Sequence, residues 1–243
     1  MLALALSALA VAPIAAAAQS RDYLLGAPHG SLALRGGFAF ARASSDVFDE
    51  SMELFTLDRG DFSSFSGAAD VAITVRPRFD VVFTGGYAQS SKDSEDREFV
   101  EIIGEDSLPI RQDTRLTRVP LTVSLKAYLM PRGRQIGTLA WVPERFAPFI
   151  GAGGGATWYR FQQTGDFVFQ ETEEIFTDAL SSDGWAPTWH AFGGVDVALG
   201  PRFALVGEVR YAWASAELEQ DYDGYEPIDL SGLQTTVGFQ VRF

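Results

Sequence analysis

The 243-residue sequence has no cysteine and only 2 histidines. Without cysteine there is no disulfide framework and no thiolate metal site. With two histidines, few metal-ligand or acid–base constellations can be built. Basic residues are also short: 19 Lys+Arg stand against 32 Asp+Glu, a formal charge of −13 and a pI near 4.5. That balance argues against nucleic acid, whose phosphates need a basic face. After residue 18 no apolar run approaches the roughly 18–20 residues of a transmembrane helix. Yet 47% of residues are hydrophobic, too many for a disordered chain. A globular domain or a membrane β-barrel remains.

Residues 1–18 are uncharged, carry Leu2, Leu4, Leu6 and Leu9, and end in Ala15-Ala16-Ala17-Ala18. This pattern predicts a secretory signal peptide cleaved after Ala18. Residues 19–30 are then an N-terminal periplasmic segment, and residues 31–243 the folded domain. The absence of cysteine suits an oxidising compartment.

From Ser31 onward the apolar residues alternate with period two, the signature of strands with one apolar face. Leu32, Leu34, Phe38 and Phe40 share one face of a first strand, opposite Arg35. Seven more follow: Ala68–Val75, Phe79–Tyr87, Val119–Leu129, Phe149–Phe161, Trp189–Leu199, Phe203–Trp213 and Leu233–Phe243. In the Gly-rich fifth strand, Ile150, Ala152, Ala156 and Trp158 face outward and Gly151, Gly153 and Gly155 inward. Connections alternate in length. Long ones cover 43–66, 90–114, 162–186 and 215–229, and short ones follow the second and sixth strands. A stretch at 131–146 is intermediate. Sorting long loops to one end is what membrane barrels do. Soluble barrels have no reason to.

The charges decide which face meets lipid. Arg35, Asp70, Asp80, Lys126, Asp196, Glu208, Arg210 and Arg242 all lie opposite the large apolar residues. Both signs occur, so a narrow lumen would let them pair, as buried charges must. Glu208 is expected to pair with Lys126 or Arg35. Tyr87, Trp158, Trp189, Tyr211 and Trp213 fall near the long-loop ends, and Phe79, Phe203 and Phe243 near the short-turn ends. Two such belts bracket an apolar band. The expected fold is all-β: an eight-stranded antiparallel transmembrane up-and-down barrel with long extracellular loops and short periplasmic turns.

The closing strand Gly238-Phe239-Gln240-Val241-Arg242-Phe243 and the Gly-rich strand Pro148 to Gly155 carry a resemblance. Together with the signal peptide, they resemble the small outer-membrane β-barrels of Gram-negative bacteria, in particular the OmpA-like barrel domain without its peptidoglycan-binding domain. The resemblance implies a cell outer-membrane location. It also implies recognition of Phe239, Val241 and Phe243 as an assembly signal by the barrel assembly machinery. Outer-membrane lipids and lipopolysaccharide are the expected surroundings of a monomer.

Chemistry is sparse. Some eight-stranded barrels are lipid A-modifying enzymes, but His29 precedes the barrel. His190, predicted to face inward, has Phe192 where the lipid A deacylases carry serine. No catalytic residue and no cofactor is expected. Asp221, Asp223 and Glu226 form a loose acidic turn whose spacing fails a calcium loop, and Arg59-Gly60-Asp61 is a chance tripeptide. Phe48, Met52 and Phe55; Phe99, Ile102 and Ile103; and Ile175, Phe176, Ala179 and Leu180 show amphipathic spacing over two helical turns. They are expected to roof the barrel. The resulting expectation is a non-enzymatic structural or surface-interaction protein. The rivals are an OmpW-like narrow channel or binding site for small apolar solutes, and a lipid A-modifying enzyme.

The charge is polarised. The four long loops hold 26 acids and 4 bases, while the rest holds 6 acids and 15 bases. Acidic loops beside anionic lipopolysaccharide would repel it unless divalent cations bridge them.

Overall fold

A computed structural model describes residues 23–103, 106–137, 139–168 and 175–243. The predicted signal peptide lies outside them. Eight long antiparallel strands make the barrel: β1 (Gly30–Ala41), β2 (Ser64–Arg76), β3 (Phe79–Ile103), β4 (Asp106–Tyr128), β5 (Phe146–Val168), β6 (Ile175–Ala198), β7 (Phe203–Ala216) and β8 (Gly232–Arg242). Each pairs with its neighbour in sequence. The ring closes where β8 meets β1, from Gly232↔Ala41 to Arg242↔Ser31. The terminal Phe243 continues that ladder: its carbonyl accepts from the His29 amide at 2.7 Å, and its amide donates to Gly30 O at 3.0 Å. Closure leaves the ring itself without an edge strand.

The faces follow the predicted alternation. Leu34, Val71, Phe83, Leu121, Ile150, Trp189, Val209 and Val237 are exposed on the outside, while Arg35, Asp80, Thr84, Lys126, His190, Asp196 and Glu208 are buried inside. An apolar exterior around a charged interior inverts the soluble pattern and fits a lipid-facing wall. Glycines on the fifth and sixth strands have a packing purpose. A Cβ on Gly151 would overlap the Phe192 ring, and one on Gly194 would meet the Phe149 ring at 2.6 Å. Bare backbone at these points is what admits two phenylalanines to a narrow lumen.

Two predicted loops are strands. The 90–114 segment continues the β3–β4 ladder through Ser90↔Leu116 and Glu95↔Arg111. After an irregularity, pairing resumes from Val100↔Pro109 to Ile103↔Asp106. The 162–186 segment likewise pairs through Gln162↔Ser181 to Val168↔Ile175. Their polarity reads as loop because the apolar alternation ends with the lipid band, whereas backbone pairing does not require lipid. Only the Phe48 stretch is helical, as α1 (Asp46–Leu54). The stretches around Phe99 and Phe176 belong to β3 and β6, and their spacing was no sign of a helix.

The 131–146 connection folds as a hairpin, Gly133–Ile136 against Ala140–Pro143. Leu24–Leu25 adds a third strand through Leu24↔Trp141. This small sheet occupies the short-turn end of the barrel.

Candidate functional site

The lumen gathers the chain's chemistry in tiers. At mid-height, Arg35 on β1 donates to Asp70 on β2 at 2.6 Å and to Glu208 on β7 at 2.7 Å. Arg210 donates to the same Glu208 oxygen at 2.9 Å. Thr84 donates to Asp70, and Arg35 also reaches Thr236. Inward positions two residues apart on β7 and facing positions on β1 and β2 bring these groups together. The quartet holds two cations and two anions, and its formal charge is zero.

Toward the short-turn end, Lys126 pairs with Asp196 at 3.1 Å, and Tyr128 donates to the same carboxylate at 2.9 Å. The Lys126 ammonium lies 3.6 Å from the centre of the Phe149 ring, a cation–π contact. Asp80 is held by Arg132 at 2.9 Å, and Arg132 also donates to Thr74. Arg132 belongs to the hairpin connection, which therefore reaches into the barrel. Trp141 is buried beside it, with the Arg242 guanidinium 6.0 Å from its ring. Of the eight lumen charges expected from sequence, seven join these tiers by hydrogen bonds. Arg242 is buried but its Nη1 has no partner. Glu208 meets Arg35 rather than Lys126, because Lys126 lies lower and faces Asp196.

Two lumen cations escaped the sequence reading. Arg132 lies in the 131–146 connection, outside the strands whose alternation assigns the lumen face. Lys126 stands opposite Asp80 in the β3–β4 register, but its ammonium is held by Asp196, and alternation along a strand says nothing of a cation that enters from a connection. Arg118 has the same parity as Pro120, Thr122, Ser124 and Lys126, so stepping the alternation back by one pair would have found it.

At the long-loop end an apolar core fills the mouth. Phe48 of α1 packs edge-on to Phe62 at 4.6 Å and to Phe161 at 5.7 Å, and Phe161 packs on Tyr222 at 5.4 Å. Leu57, Leu116, Tyr159 and Ile228 complete it. Polar tips are satisfied within it: Tyr222 donates to Gln163, and Gln163 to Ser51. Arg97 ties the α1 exit to β3 by donating to Phe55 O at 2.7 Å.

His190 does find a serine. Its Nε2 is 2.7 Å from Ser124 Oγ. A serine–histidine pair needs an orienting acid on the other nitrogen, and Nδ1 has no partner. The ring is 3% exposed and stacks toward Phe192 inside the wall, away from lipid chains outside.

The aromatic residues Tyr87, Trp158, Trp189, Tyr211 and Trp213 all sit on the outer face, with Tyr211 and Trp213 4.9 Å apart. Phe65 and Trp185 join them, 82% and 57% exposed. Both fell in segments expected to be loops. Phe239, Val241 and Phe243 face outward along β8. The acidic turn makes no metal cage. Asp221 accepts from the Ser181 amide, the Glu226 amide donates to Asp46, and among the described residues no three His or acidic groups converge on a metal position. Arg59-Gly60-Asp61 is tied down, with Arg59 on Asp49 and Asp61 on Lys92.

No protein-family profile matches the sequence, and no curated protein matches it. Solved structures do align over most of the chain. Outer membrane protein OprG from Pseudomonas aeruginosa is 17% identical with a TM-score of 0.46, covering 90% of this chain and 99% of its own. Neisserial surface protein A is 12% identical with a TM-score of 0.45, covering 88% and 96%. A major outer membrane protein from Thermus thermophilus is 12% identical with a TM-score of 0.47, covering 90% and 100%. Likeness at this level transfers no function.

Proposed function

We propose that this chain is a non-conducting, non-enzymatic barrel of a bacterial outer membrane, with a structural or surface-interaction role. One observation carries the reading: the lumen is filled at three heights. The Phe48–Phe161 core occupies the mouth, the Arg35 quartet crosses the middle, and Arg132 with Trp141 fills the other end. The outward apolar band and its aromatic borders support the membrane setting. The acidic hairpins are then extracellular, and the closing Phe243 serves assembly as in OmpA-like barrels. His190 and Ser124 lack an acid and face inward, which supports a role other than lipid chemistry.

Planar-bilayer recording tests the reading. Purified barrel should give no reproducible conductance steps, and regular steps would sink it. Lipid A from cells expressing the chain should keep its mass spectrum. In detergent gels the unheated protein should migrate as a compact barrel, with a shift on boiling.

A second reading has one observation in its favour. A cavity of about 160 Å³ beside α1 has Phe55, Phe99, Phe167 and Leu180 in its lining, together with the acids Glu50, Asp96 and Asp221. Such a pocket suits a small apolar solute, as in the OmpW-like barrels. Saturable binding of the neutral dye Nile red, lost in Phe167→Ser, would favour it.

A further inference from the structure

We propose that a small inorganic anion binds inside the barrel beside Arg118. The site is a cavity of about 90 Å³ between the quartet and the mouth core. Arg118, Thr122, Thr157, Thr188, His190 and Arg210 are among its lining residues, and no carboxylate is. Its volume corresponds to roughly three water molecules, enough for a halide with a water or for one tetrahedral oxyanion.

Charge is the reason water alone does not suffice. Arg118 is 8% exposed, and its Nε and Nη2 have no hydrogen-bond partner. Among the described residues no ion pair to it is present, whereas Arg35, Arg210, Lys126 and Arg132 each hold an acid. A guanidinium cannot shed its proton to escape burial. An isolated buried charge is strongly unfavourable until a counter-charge arrives. Arg210, the other cation on the cavity wall, is already neutralised by Glu208, and no acid on the wall would repel an anion.

Neutral donors are also waiting there. Thr122 Oγ1 and His190 Nδ1 have no partner. In the tautomer in which Ser124 donates to Nε2, the ring proton sits on Nδ1 and makes it a donor. Orphaned groups higher in the barrel, such as those of Gln112 and Thr114, are neutral and ask only for water. The coincidence of an unpaired cation, two spare neutral donors and a cavity without acid points to an anion.

The barrel is refolded into detergent in sodium bromide or sodium phosphate, with gluconate as the bulky reference anion at constant ionic strength, and unfolded with urea. At ten times its Kd, a bound anion raises the folded-to-unfolded ratio about elevenfold. We expect a saturable gain with bromide, phosphate or both in the wild type. It should be kept in Arg115→Ala, an exposed arginine of the same strand, and lost in Arg118→Met. A response to bromide alone identifies a halide site, and one to phosphate alone an oxyanion site. Should Arg118→Met not fold, Thr122→Val is the second variant and should weaken the response. Anomalous scattering from crystals grown in bromide should show a peak beside Arg118 if a halide binds. A wild type indifferent to both anions, or an equal response in Arg118→Met, overturns the proposal. So does an unchanged response in Thr122→Val together with only water beside Arg118.

Discussion

Arg35 and Glu208 stand 173 residues apart in the chain and meet at 2.7 Å across the barrel interior. The same carboxylate oxygen also holds Arg210. One acid thus restrains two buried guanidiniums. Glu208→Ala should leave both under-compensated and destabilise the barrel by about 3–5 kcal/mol. Urea unfolding followed by gel mobility would measure it, and an unchanged midpoint would mean that solvent already compensates these charges.

Asp80 and Arg132 form the corresponding pair at the short-turn end, with the carboxylate 1% and the guanidinium 11% exposed. Arg132→Ala should cost about 3 kcal/mol or more, because it strands a buried carboxylate. Adding Asp80→Asn to that variant should recover part of the loss, since the stranded charge is gone. Strictly additive losses in the double-mutant cycle would refute coupling between the two.

Phe48 is fully buried between Phe62 and Phe161. Phe48→Ala should weaken the mouth by about 3–5 kcal/mol while the lipid-facing wall stays intact. Limited proteolysis should then cut near residues 43–63, with compact gel migration retained. Loss of that migration would show that mouth and wall fold as one unit.

Asp229, in the β7–β8 connection, should make the mouth acid-sensitive. Burial alone would raise its pKa. Hydrogen bonds from Ser231 and Ser44, with the charge of Arg42, outweigh that and hold it below the ordinary 3.8. A depressed folded pKa stabilises fully above the unfolded value, and the gain disappears as pH falls through the folded one. Wild type should therefore resist mouth proteolysis better than Asp229→Ala at pH 6. The difference should shrink as pH falls below the ordinary 3.8. A difference that persists undiminished at pH 2 would exclude the carboxylate as its source.

How much of this was legible beforehand varies by region. Within the lipid band, the alternation of residues such as Leu32, Leu34 and Leu121 against Arg35, Thr122 and Lys126 assigns every face, because a period-two pattern leaves a strand only one way round. Beyond Tyr87 and Trp158 there is no lipid to impose that pattern, so the paired extensions of β3 to β6 read as loops.

The sequence by itself determined eight strands, their inward and outward faces, and the polarity that gathers acids at one end. Each follows from local periodicity and the chain order of charges. Only the tertiary structure decided the partners: Glu208 with Arg35, Asp80 with Arg132, and Arg118 with no acid. Ring closure and the fold of the 131–146 hairpin set which inward residues share a height. Charges pair by distance in space, which alternation along a strand does not encode.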